Sequence, residues 1–153
     1  MWPDVEEQVA VERAQIAQLF EAYQATISKS SQQEPGFIEL SALATMLHSF
    51  YTGIENIFKR VALEIDGDIP SGDASHSDLL TAMTRPTASR PPVISQEIPV
   101  RLSAYLSFRH VFRHSYSFQL EWDKMRALVL QCQATWQQLH TELDRFFSGG
   151  NLS

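Results

Sequence analysis

One cysteine, Cys132, stands in a chain of 153 residues, so no intramolecular disulfide can form. No Cys/His spacing resembles a zinc site, which fits a reducing, cytoplasmic compartment and a buried structural role for the thiol. No apolar run approaches the roughly 18 residues needed to cross a bilayer. The acidic start, with Asp4, Glu6 and Glu7, also lacks a continuous apolar segment. Together these absences predict a soluble, unprocessed protein with no membrane partner. Long alternations of apolar and polar residues are missing too, which excludes an extended sheet. At 44% hydrophobic content the chain can bury one sizeable core, and residues 1–153 are expected to form a single domain.

The patterning that remains is helical. A first segment over about 4–28 carries Val5, Val9, Ile16, Leu19, Phe20, Tyr23 and Ile27 on one face, and Pro35-Gly36 follows as a break. In a second, over 37–65, Leu40, Leu43, Leu47, Phe50, Ile54, Ile57 and Val61 recur at alternating steps of three and four, the seam of a bundle. Gly53 interrupts it at a cost of about 1 kcal/mol relative to alanine, and either allows a close helix crossing or a bend there or is simply tolerated on a supported helix. Residues 66–99 are rich in Gly, Pro, Ser and Asp and read as a long connection, with a short helix near 75–83 ended by Arg85-Pro86. A connection of that length either borders a site or is mobile. The last segment, over 119–147, repeats the seam with Trp122, Met125, Val129, Cys132, Trp136, Leu139, Leu143 and Phe146, and a flexible tail at 148–153 follows Gly149-Gly150. The expected class is all-α: four long helices and one short one.

Charge is distributed unevenly. The net charge is −6, which argues against a polyanionic partner, but residues 85–126 hold seven basic residues against three acidic ones. Within that window lies the run Arg109-His110-Val111-Phe112-Arg113-His114-Ser115-Tyr116. Ile98, Leu102, Tyr105, Arg109, Phe112 and Tyr116 continue the seam spacing, which puts a guanidinium where a bundle buries side chains. An unpaired charge there costs several kcal/mol. Arg109 therefore pairs with an interior carboxylate such as Glu55, reaches to solvent, or awaits a substrate phosphate. Five residues separate Arg109 from His114, about 140° around an ideal helix. They converge only if the helix loosens near Ser115 to Ser117 or a second copy completes the site. His110 and His114, four apart, share a face.

Arg109, His114 and Tyr116 match Arg-x4-His-x-Tyr, and the sequence resembles the HEPN superfamily and, within it, the HepT-like ribonuclease toxins. The stretch from Tyr51 to Ala62 is similar to that family's second helix, and His76 with Leu79-Leu80 to its following short helix, so the resemblance covers about residues 37–147. It implies a homodimeric HEPN helical bundle acting as a metal-independent endoribonuclease toxin of a toxin-antitoxin system. Arg109 would stabilise the phosphorane charge and His114 would move a proton, with His110 and Arg113 as auxiliary candidates. Neither a cofactor nor a metal is expected. The chemistry agrees: attack by a ribose 2'-hydroxyl needs proton removal, imidazole suits that at neutral pH, and guanidinium supplies fixed charge. The implied partners are tRNA or mRNA as substrate and an MntA-like nucleotidyltransferase antitoxin that AMPylates Tyr116. His110 stands where many relatives carry Asn or Asp, so the proton-transfer role belongs to His110 and His114 as a pair, with His114 favoured. His48 and His140 are expected in structural or surface roles. A noncatalytic HEPN module that scaffolds a nucleotidyltransferase or nucleic acid is the alternative.

Overall fold

In a computed structural model, which describes residues 2–114, 116 and 119–149, the chain is an all-helical bundle. Its elements are α1 (Pro3–Ser30), α2 (Phe37–Val61), α3 (Ser75–Met83), α4 (Glu97–Arg113) and α5 (Trp122–Phe147). Among the described residues there is no strand; Thr87 and Arg90 form one isolated antiparallel bridge.

The two seams become the core. Leu43, Leu47, Phe50, Ile54, Ile57 and Val61 of α2 are buried, as are all eight seam residues of α5. Leu40, at the open end of α2, is half-covered. Phe50 joins three helices: its ring centroid lies 5.3 Å from Phe20 on α1 and 5.4 Å from Tyr105 on α4. Gly53 is where α1 crosses, since a Cβ there would stand 2.9 Å from Ile16 Cγ1. Cys132 is fully buried, and burial pushes its thiol up to about 12, which makes it an inert core residue.

The α2 helix does not run unbroken to Ile65. It widens into a π-helical turn at Ala62–Asp66 and stops at Gly67, whose φ of 84° is the left-handed conformation that glycine accepts without strain. Gly67 and Asp68 both donate to the Ala62 carbonyl, closing the turn. The turn presents Asp66 to the connection, where its two oxygens accept from Arg90 Nε and Nη2, each at 2.8 Å.

That fork organises residues 66–99. Arg90 is 4% exposed, and its remaining donors reach the carbonyls of Arg85, Pro91 and Ala82. Val93 and Ile94 are buried and both donate to the Met83 carbonyl. Glu142 of α5, also buried, accepts from Ser95 N at 2.6 Å and Ser95 Oγ at 2.9 Å. The connection is thus tied at both ends, and α3 and α4 leave it in fixed places.

The short helix occupies the expected span. The last helix starts at Trp122 rather than 119, because Tyr116 and Gln119 form a turn of their own, with Gln119 N donating to the Tyr116 carbonyl at 2.9 Å. The tail expected at 148–153 is described only to Gly149, and residues 150–153 lie outside the described residues.

Candidate active site

The basic run lies at the C-terminal end of α4. Ile98, Leu102 and Tyr105 are buried, Arg109 and Phe112 are half-buried, and Tyr116 is 72% exposed. The apolar stripe therefore emerges from the core along the helix. It does not continue to Tyr116 in helical register: α4 ends at Arg113, and His114 leaves it at φ −115°, ψ 10°. Tyr116 N donates instead to the Gln119 side chain at 3.0 Å. The loosening expected near Ser115 to Ser117 is thus placed at His114; Ser115 and Ser117 themselves lie outside the described residues.

This helix end brings Arg109 and His114 to one place. Both line a cleft of about 510 Å³, together with His110 and Arg113 on α4 and with Asp73, His76 and Ser77 from the start of α3. His110 and His114 meet as the four-residue spacing requires, with ring centroids 4.6 Å apart. The long connection borders the site through Asp73, His76 and Ser77. Those three residues do not stand out as site residues in the sequence, although a histidine in the first turn of a short helix is visible there.

Glu55 does not pair with Arg109. It is 4% exposed, and its carboxylate reaches His76 Nδ1 at 2.7 Å and Lys59 Nζ at 3.2 Å. The i,i+4 spacing places Lys59 over Glu55 on α2, and α3 docks on that helix carrying His76. Both anionic oxygens are therefore used by other groups, so Glu55 is not the partner of the Arg109 guanidinium. Among the described residues Arg109 has no salt-bridge partner, and its Nε is buried without a hydrogen bond. Beside it on α2, His48 Nδ1 and Tyr51 Oη are buried and unpartnered as well.

The neighbouring titrations register this arrangement. Burial, and then the charges of Arg109 and Arg113, hold His48 below the usual imidazole range. The Tyr51 hydroxyl is pushed well above the usual phenol range by burial first and Glu55 second, with Arg109 opposing. His48 thus stays neutral at neutral pH, its ring 5.2 Å from that of Phe112. It has the structural setting expected of it. So has His140, which bonds Arg13 and packs at a tilt against the Trp136 ring.

The basic excess between 85 and 126 does not form one patch. Arg109 and Arg113 line the cleft, but Arg90 is neutralised by Asp66, Lys124 pairs with Glu121, and Arg101 bonds Gln138. Among the described residues no group of three or more His, Cys, Asp or Glu side chains is gathered to hold a metal ion, and no helix is long and apolar enough to cross a membrane.

A helical bundle whose α4 ends in Arg-x4-His at a cationic, histidine-lined cleft is a HEPN-type domain. The HepT-like protein family model matches residues 42–149, and the chain belongs to that family. Comparison with curated proteins and with solved structures returned no match.

Proposed function

We propose that this protein is a metal-independent endoribonuclease, the toxin half of a toxin-antitoxin pair, which cleaves cellular tRNA or mRNA in the cytoplasm by attack of the ribose 2'-hydroxyl on the adjacent phosphodiester. The observation that carries this reading is Arg109 lining the same cleft as His114 without a salt-bridge partner among the described residues. A phosphodiester supplies the missing charge, and the guanidinium matches its oxygens as a fork. The O2'–P bond forms as the P–O5' bond breaks, a proton leaves O2', and another reaches O5'. The products are a 2',3'-cyclic phosphate and a free 5'-hydroxyl. His114 or its neighbour His110 serves one proton transfer, and Arg109 stabilises the charge that builds on the phosphorane oxygens. DNA lacks the nucleophile. A homodimer pairing two α4 helices would set two such clefts side by side.

Incubating the purified chain with total cellular RNA and EDTA tests this directly. Cleavage that leaves 5'-hydroxyl ends supports the reading; RNA bound without being cut favours the noncatalytic scaffold.

Regulation by AMPylation falls on Tyr116. Its side chain is exposed two residues beyond His114, so a transferase can reach it, and each added phosphodiester brings about one negative charge and bulk close in sequence to the proposed catalytic histidine. With ATP and a cognate MntA-like nucleotidyltransferase, the mass of the chain should rise by whole AMP increments as RNA cleavage falls. Tyr116→Phe should show neither change. A Tyr116→Phe chain that still gains AMP places the modification elsewhere.

A further inference from the structure

Cleavage through the 2'-hydroxyl requires two proton movements, one away from O2' and one onto O5'. The Arg-x4-His run offers His110 from the last turn of α4 and His114 from the residue that follows it, their rings 4.6 Å apart. A third imidazole lines the cleft from the other wall: His76, on the first turn of α3.

His76 is not an ordinary surface histidine. Its side chain is 35% exposed, and its Nδ1 is held at 2.7 Å by Glu55, whose own side chain is 5% exposed. A carboxylate accepts hydrogen bonds only, so the hydrogen between the two rides on Nδ1. In the neutral ring the remaining nitrogen, Nε2, then carries the lone pair. Lys59, at 3.2 Å from the other oxygen, keeps Glu55 compensated whether or not His76 is charged. A buried carboxylate that fixes the tautomer and orientation of a cleft histidine is an arrangement suited to a general base.

We infer that His76 is the second proton-transfer group of this cleft, accepting the 2'-hydroxyl proton at Nε2 while an imidazole of the His110–His114 pair protonates O5', with Glu55 as the positioning residue for His76. This rests on the ribonuclease reading above. The proton leaves O2' for His76 as O2'–P forms, and a proton leaves the α4 imidazolium for O5' as P–O5' breaks, so the step balances without a co-reactant. Cyclic phosphate release leaves His76 protonated and the α4 imidazole neutral, and exchange with water restores both. The charged and titratable groups around His76 are Glu55 and Lys59 on α2, Asp73 before α3, Asp78 on α3, Arg109, His110 and Arg113 on α4, and His114 just beyond it. Of these residue types, only imidazole ordinarily titrates between about pH 5 and 8.

The test uses the full chain, total cellular RNA with EDTA, and a short oligoribonucleotide with a 5'-bridging phosphorothiolate, whose thiolate leaves without needing a proton. His76→Gln should lose about 10²–10⁴-fold in RNA cleavage, and the rising, low-pH limb of its rate profile should disappear, because that limb reports the base becoming deprotonated. Glu55→Gln should lose less and shift the same limb. The phosphorothiolate should rescue His114→Ala but not His76→Gln. Since Lys59 still pairs with Glu55 in His76→Gln, that variant should remain folded, as circular dichroism would register. His76→Gln cutting RNA as the wild type does, keeping the wild-type pH profile, or being rescued by the phosphorothiolate overturns the assignment while leaving the ribonuclease reading intact. A wild-type chain that cuts neither substrate overturns both.

Discussion

Replacing Arg109 by alanine is expected to lower RNA cleavage by about 10²–10³-fold with little change in melting temperature. The first half follows from removing a fixed positive group aimed at a charge that develops only in the transition state. The second half follows from the local bonding. Were Arg109 a member of a buried ion pair, its removal would strand a carboxylate at a cost of about 3–5 kcal/mol. Glu55, the carboxylate in question, is already held by Lys59 and His76, so truncation strands nothing and removes a buried, unpaired Nε. Arg109→Lys keeps the charge but loses the fork, and should recover only part of the rate. Cleavage kinetics measured beside a thermal melt separate the outcomes: a large loss of stability with proportionate loss of activity would make Arg109 a structural residue.

The opposite signature is expected at Arg90 of the connection. Asp66→Ala should destabilise the fold by about 3–5 kcal/mol, because it leaves the Arg90 guanidinium buried without its anion. The side chain of Arg90 is 0% exposed, so water does not replace the lost partner. For a domain of this size that corresponds to a fall in melting temperature on the order of 10 °C. Arg90→Met added to Asp66→Ala should recover part of the loss, since no uncompensated charge then remains, although the carbonyls of Arg85, Pro91 and Ala82 lose their donors. Differential scanning calorimetry of the two variants gives the comparison. A melting temperature unchanged in Asp66→Ala would show that the connection does not depend on this pair.

These two arginines also show what sequence periodicity can and cannot resolve. The seams of α2 and α5 were legible residue by residue, because burial on one face imposes steps of three and four that few other structures tolerate. The span of α3 was legible as well, from serines before it and Arg85-Pro86 after it. The end of α4 was not: Tyr116 keeps the seam spacing, and spacing carries no information about which backbone groups find partners after Arg113. The pairing of Glu55 is left open by the sequence for a related reason. A carboxylate on the buried face of α2 must have a cation, but Lys59 and His76 are as available in sequence as Arg109, and only the docking of α3 decides. Asp66 and Arg90 lie in the stretch whose composition reads only as a connection; their fork depends on the π-turn that closes α2, which no propensity pattern announces. The convergence of Arg109 and His114 could be posed as a geometric condition from helix angles alone; the backbone leaves helical geometry at His114, and both residues line one cleft.

The crossing at Gly53 bears on how this domain can be handled. Residues 42–149 carry the family likeness, yet Ile16 and Phe20, contributed by α1, close the face of α2 around Gly53 and Phe50. A fragment trimmed to the matched boundaries would expose a continuous oily strip along α2 to solvent, inviting clumping during expression. Recombinant versions therefore need their first thirty residues, even though the diagnostic likeness begins beyond them.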